Sequence, residues 1–183
     1  MALTATTYKV HLDISDTDRG IYEAVHMTVA RHPSETEERL VARILAFGLW
    51  FDTGLEFGRG LSDVDEPALW RKRLDGQVEH WIDVGRPDSD RLVWCARRYP
   101  RVSLLAYGNV DPWSQQVLPR VTGLDNLEIA VLPREAMDAL AVDLPRKIDW
   151  GLMITDGVLY VGDAERQHEL PLDWLMRHQR LPA

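Results

Sequence analysis

Residues 78–107 read VEHWIDVGRPDSDRLVWCARRYPRVSLLAY, and this run decides the fold. Val78 to Val84 is strand-like: Val78, His80, Ile82 and Val84 fall on one face, Glu79, Trp81 and Asp83 on the other. Gly85-Arg86-Pro87 stops the strand, and Asp88 is placed to cap a helix that runs to about Tyr99. Val102 to Tyr107 is apolar on both faces, as a central strand is. A strand, a helix and a second strand in that order predict a right-handed crossover and parallel pairing. The pattern then repeats: Asp111-Pro112 opens a helix to about Val121, 127–132 is a further buried strand, and a short helix follows near 134–140. The centre of the chain therefore reads as α/β.

Upstream lies an acidic loop that begins at Gly60 and carries Asp63, Asp65 and Glu66 beside Pro67. Residues 55–57 suggest a short strand, Pro67 to Trp70 a helical turn with proline in its first position, and Asp75-Gly76 a turn. The strongest helix precedes them. Pro33 ends a strand, Ser34 is a natural cap with Glu37 three residues on, and Leu40, Ile44, Phe47 and Phe51 form an apolar stripe. Glu35, Arg39 and Arg43 make a polar line along it, either an exposed salt-bridge ladder or a line facing the acidic loop. Residues 7–14 and 22–30 alternate in polarity around a turn at 16–20, which predicts an antiparallel hairpin.

The tail returns to β structure. Residues 150–155 and 158–161 flank Asp156-Gly157, a type I′ hairpin signal, and 168–172 reads as an edge strand because Pro171 cannot sit in a sheet centre. One domain, 1–183, with the terminal hairpins forming a second β layer on a mixed core, is the simplest assembly.

The chain has 183 residues, 45% of them hydrophobic and 27% charged, the composition of a globular domain. No apolar run reaches membrane-span length, and neither a leader pattern nor a cysteine pair is present, so a reducing cytoplasm is the expected location. The lone Cys95 should behave as a small buried hydrophobe. A net charge of −8 argues against a general nucleic-acid coat protein, though a local groove can still be basic. Most of the seven tryptophans should pack in the core.

There is no Walker loop, dinucleotide fingerprint, HExxH, CxxC or GxSxG, and the six histidines are scattered. His80, among apolar neighbours, reads as a hydrogen-bonded core residue. What remains is a set of oxygen ligands: Glu35 at a helix start, Asp65 and Glu66 on the loop, and Asp83 at a strand end. Carboxylates crowded together repel, and a divalent cation between them relieves the repulsion. Such an ion lowers the pKa of bound water and steadies phosphoryl charge.

The stretches ARHPSETEERLVARILAF (30–47), FGRGLSDVDEPALW (57–70), HWIDVGRPD (80–88) and TDGVLYV (155–161) resemble the YaeQ family across nearly the whole chain. That resemblance implies a fold related to the PD-(D/E)XK nucleases, a mixed sheet flanked by helices and extended by extra β structure. It implies Asp65 or Glu66 as the first site acid, Asp83 as the second, Glu35 as the helix acid, and Mg²⁺ or Mn²⁺ held by Asp65, Glu66 and Asp83. The usual lysine position, two residues after Asp83, is Gly85, and Arg86 follows it; the lysines that some relatives carry on the next helix are Val93 and Trp94. Arg86 can neutralise phosphate charge but does not deprotonate to act as a base.

Three readings follow. The first is a metal-dependent phosphodiester hydrolase, with DNA as the expected substrate. The second is a nuclease-like fold that has lost activity and serves as a binding or regulatory module with a protein partner. The third is structural: the acids pair with Arg39, Arg43 and Arg86 and simply hold the loop.

Overall fold

The computed structural model describes residues 4–178 apart from 60, 62 and 64. Gly60, the expected start of the acidic loop, lies outside the described residues. Two sheets sandwich a pair of helices. The first is formed by the two ends of the chain: β1 (Thr6–Asp16), β2 (Ile21–Arg31), β8 (Lys147–Thr155), β9 (Val158–Gly162) and β10 (Gln167–Pro171). Its order is β10-β9-β8-β1-β2, with the two hairpins joined by parallel pairing of β1 to β8. Alternation explains the register. Tyr8, Val10, Leu12 and Ile14 of β1 and Ile148, Trp150, Leu152 and Ile154 of β8 are all buried, facing inward. Asp156 and Gly157 both carry positive φ at the β8–β9 turn, as the Asp-Gly pair predicts. β10 is an edge strand, where Pro171 is tolerated.

The second sheet has the order β11-β7-β6-β5-β4-β3. Its strands are β3 (Leu55–Phe57), β4 (Leu69–Lys72), β5 (Val78–Val84), β6 (Arg101–Ala106), β7 (Leu127–Val131) and β11 (Asp173–Met176). β5, β6 and β7 are parallel; β3, β4 and β5 form an antiparallel meander, and β11 pairs antiparallel with β7. One expectation is corrected, and one strand is added. Pro67 to Trp70 do not form a helical turn; Leu69 and Trp70 open strand β4, pairing with Ile82 and Trp81 across the sheet. Strand β11 was not anticipated: Asp173 to Met176 is too short to show alternation, and only its partner β7 makes it a strand.

Helices α2 (Ser89–Arg98) and α3 (Val110–Val121) cover the outer face of this sheet, packing Leu92, Cys95, Val117 and Val121 against Trp81, Val102, Leu104 and Ile129. Cys95 is fully buried, and burial pushes its thiol up to about 12, so it stays protonated as the sequence suggests. Asp88 caps α2 by accepting from the Arg91 amide at 2.8 Å.

Between the sheets lie α1 (Glu37–Leu49) and α4 (Arg134–Ala141). Every residue of α1 from Leu40 to Leu49 is buried, because one side packs on the first sheet and the other on Ile82, Val84 and Leu105 of the second. The one-sided stripe in its sequence thus understates its burial. Its cap is Thr36, whose hydroxyl accepts from the Arg39 amide at 3.2 Å; Ser34, the expected cap, bonds to His32 instead. Among the described residues no helix is long and apolar enough to cross a membrane.

Candidate functional site

Helix α1 enters the sandwich beside the carboxyl ends of β5 and β6, where open α/β sheets commonly bind ligands. A cavity of about 390 Å³ opens there. Asp63 and Glu66 reach it from the acidic loop, Asp83 from β5, Arg86 and Arg91 from the start of the β5–β6 crossover, and Arg39 from α1. Tyr107, just past β6, also lines it; burial raises its phenol pKa, so it stays a neutral donor.

The acids do not face one another across open space. Asp83 is 7% exposed. Its Oδ2 accepts from Arg91 Nε at 2.9 Å and from the indole Nε1 of Trp81 at 3.1 Å. Its Oδ1 accepts from the Ala68 amide and from Arg91 Nη2, both at 3.4 Å. Oδ2 is thus held by two hydrogen bonds of ordinary length, and Oδ1 by two long ones. Burial lowers the Arg91 guanidinium, but hydrogen bonding to Asp83 and its negative charge more than offset this, and the net shift is upward. Glu66 accepts from the Arg59 amide at 2.8 Å and lies 3.6 Å from the Arg59 guanidinium.

Glu35 does not reach the cavity. Its two oxygens take Arg39 Nη1 at 2.7 Å and Arg43 through Nε at 2.8 Å and Nη2 at 2.7 Å. Neither expectation for this line holds. It is not an exposed ladder, since Glu35 is 4% and Arg43 2% exposed, and only Arg39 looks into the site. Burial pulls the Arg43 guanidinium below its ordinary value, against the pull of Glu35, but an arginine keeps its proton at any physiological pH. Asp65 is exposed and absent from the cavity lining; its amide donates to Asp63 at 3.0 Å. Among the described residues no three His, Cys, Asp or Glu side chains converge to hold a cation. As arranged, the donor set does not suit Mg²⁺, which wants unshared carboxylate oxygens and retained waters.

Gly85 occupies the position where the resemblance expects lysine. Its φ is +102°, a conformation L side chains rarely adopt, so a lysine there would strain the backbone although a Cβ meets nothing within 4 Å. Arg86 lies beside the β6–α3 turn instead, donating to the Asn109 carbonyl at 2.8 Å. Sequence reading missed the pairing of Arg91 with Asp83. The available signal was an arginine in the first turn of the helix that follows a strand whose penultimate residue is an acid.

His80 is a core histidine, as its neighbours suggest. It is 5% exposed, its Nε2 lies 2.7 Å from the Ser103 hydroxyl, and burial lowers its pKa to about 3.

Comparison with known proteins assigns the chain. A family model described as YaeQ protein matches residues 1–172. The protein named "Uncharacterized protein YaeQ" of Salmonella typhi is 34% identical over 94% of this chain and 96% of its own length, and that of Escherichia coli K12 is 33% identical over the same shares. The crystal structure of YaeQ protein from Pseudomonas syringae superposes with a TM-score of 0.93 at 53% identity, covering 96% of this chain and 98% of that one. The YaeQ protein from Xanthomonas axonopodis pv. citri gives 0.91 at 36% identity, covering 94% and 99%. The two mixed sheets and four helices described above are therefore an architecture shared with solved relatives, and the chain belongs to the YaeQ family.

Proposed function

We propose that this chain is a PD-(D/E)XK-like fold whose cavity at the ends of β5 and β6 binds a phosphodiester, DNA above all, without cleaving it. One observation carries the reading: Asp83, the acid that metal chemistry needs most, is buried and already engaged by Arg91, Trp81 and the Ala68 amide. The φ of Gly85 supports it, because a lysine base at that position would strain the backbone. The run α1-β3-β4-β5-α2-β6, a meander followed by a parallel strand, agrees with the nuclease resemblance. Arg39 and Arg86 at the cavity supply charge for a phosphate, and Tyr107 supplies a neutral donor.

A second reading, Mg²⁺- or Mn²⁺-dependent hydrolysis, rests on Asp63, Glu66 and Asp83 lining one cavity. It requires Asp83 to exchange Arg91 for an ion, with Asp65 and Glu66 turned toward it and Glu35 released from its arginines. Arg86 would then neutralise the phosphate.

Labelled duplex DNA, single-stranded DNA and RNA, titrated by anisotropy without metal and then incubated with Mg²⁺ or Mn²⁺, separate the two. The binding reading expects salt-sensitive association, weakened in Arg86→Ala, and intact nucleic acid. Metal-dependent cleavage that disappears in Asp83→Ala overturns it in favour of hydrolysis. Absence of binding to all three substrates, with all three left intact after incubation with metal, removes both.

A further inference from the structure

The outer flank of the second sheet carries a row of aromatic rings. Trp70 of β4 stands directly opposite Trp81 of β5, so the two indoles share one face of the sheet, 6.3 Å apart. Trp81 is fully buried; Tyr99 stacks on it at 4.6 Å, and Trp94 of α2 meets it edge-on at 6.1 Å. Because α2 buries Leu92 and Cys95, it turns position 94 outward, and the Trp94 side chain is left 39% exposed. Trp70, Trp94 and Tyr99 therefore reach the surface around one buried centre. Core packing explains Trp81 but gives no reason for an indole at Trp94.

Exposed cations are laid over the same rings. Lys72 Nζ sits 3.5 Å from the centroid of Trp70, and the Arg98 guanidinium 4.7 Å from that of Trp94. Arg97, three positions on from Trp94, is exposed on the same helix. Among the described residues none of these three cations is in an ion pair. The acids of β5 and α2 are already taken: Glu79 by Arg71 and Arg73, Asp83 by Arg91, and Asp90 by Arg120. Asp65 borders the flank at Tyr99. On a chain of net charge −8, three cations without carboxylates, set among surface aromatics, are available to a polyanion.

We propose that this flank binds single-stranded nucleic acid. Bases stack on Trp94 with its overlying Arg98, and on Trp70 once the flexible Lys72 stem swings its ammonium to a phosphate; Arg97 meets the backbone. Unpaired bases can be taken by flat rings and planar guanidinium groups without their edges being read. A duplex keeps its bases inside and can use only the cations, and an acidic peptide likewise has no use for the indoles. The flank lies outside the arginine-lined cavity and touches it through Arg91, whose guanidinium is 5.7 Å from the Trp81 centroid. It goes beyond the phosphodiester reading of that cavity and holds or fails separately from it.

Labelled oligo(dT), an abasic strand of the same length and a duplex of the same length, titrated by anisotropy at low salt, are the probes, with polyglutamate as an unlabelled competitor. Oligo(dT) should bind at least about fivefold tighter than either the abasic strand or the duplex, the gain expected from one stacked base. Trp94→Ala should remove most of that gain and leave the other two strands unchanged, and Trp94→Phe should keep part of it. Lys72→Gln combined with Arg98→Gln should weaken all three and lower the salt slope by about one to two. Those two side chains are exposed, so this variant carries the test if Trp94→Ala does not fold. Arg86→Ala, in the cavity, should leave the difference between oligo(dT) and the abasic strand intact. Equal affinity for the three strands, or polyglutamate competing as well as unlabelled oligo(dT), overturns the proposal and leaves the cavity reading to Arg86→Ala. Absence of binding to every strand overturns both.

Discussion

Helix α1 spans about 20 Å and has a polar network at each end, and the two are built on different principles. At its start, carboxylates are matched against guanidinium groups: Glu35 with Arg39 and Arg43, Asp83 with Arg91, Glu66 with Arg59. At its finish, one carboxylate, Glu128, is supported by a neutral relay through Ser103 and His80 together with a single arginine, and the ring nitrogens Trp174 Nε1 and His178 Nε2 lack partners among the described residues. Charge matched to charge fixes geometry and leaves few unused valences. The end that looked catalytic in sequence is the more locked of the two.

The sharpest way to break this contrast is to remove one member of the charged network. Glu35→Ala leaves Arg43 buried without its carboxylate and should cost about 3–5 kcal/mol in urea denaturation. Glu35→Leu combined with Arg43→Met should recover most of that loss, since the pair can be replaced by matched apolar groups.

Acid tests the other end. His80 takes a proton near pH 6.5 when unfolded and only near about 3 when folded, so the unfolded state binds more protons in between. The stability this lends is complete above pH 6.5 and is lost as pH falls toward 3. Between pH 7 and pH 4.5 the His80 contribution should be about 2–3 kcal/mol. Comparing denaturation at those two pH values in the parent and in His80→Gln isolates it from the carboxylates; equal slopes would contradict the relay.

Gly85→Lys asks whether the missing base is merely a lost side chain. With φ at +102°, the substitution should cost about 1–2 kcal/mol and generate no metal-dependent cleavage. The smallest effect distinguishes two caps for α1: Thr36→Ala should lower stability by about 1 kcal/mol, and Ser34→Ala by a few tenths at most.

Much of the fold was legible because it depends on period. The alternation in β1 and β8, the Asp-Gly turn and the strand-helix-strand run of 78–107 each carry a local signature, and each appears where that signature puts it. The second β layer follows from two hairpins that need a common apolar cover. What was not legible is set by distant partners. Pro67 to Trp70 look like a helix start until Trp81 and Ile82 are placed beside Leu69 and Trp70. α1 looks amphipathic because a charged line interrupts it, yet Arg43 is buried with Glu35 rather than solvated. The candidate site shows the same limit. Sequence identifies Glu66 and Asp83, which the fold does bring to one cavity, but its one sign that Arg91 would occupy Asp83 is the place of that arginine in the first turn of the next helix. Asp65, adjacent to Glu66, faces solvent.

The parallel pairing of β1 with β8 has a consequence for biogenesis. His11 and Asp149, facing each other across those strands, are 138 positions apart. At ribosomal speed the first hairpin waits on the order of ten seconds for its neighbour to emerge, with the β1 edge open to any other extended chain. Closure of that seam is therefore a natural late step of folding, and the nascent amino-terminal third is where holding by a chaperone would matter most.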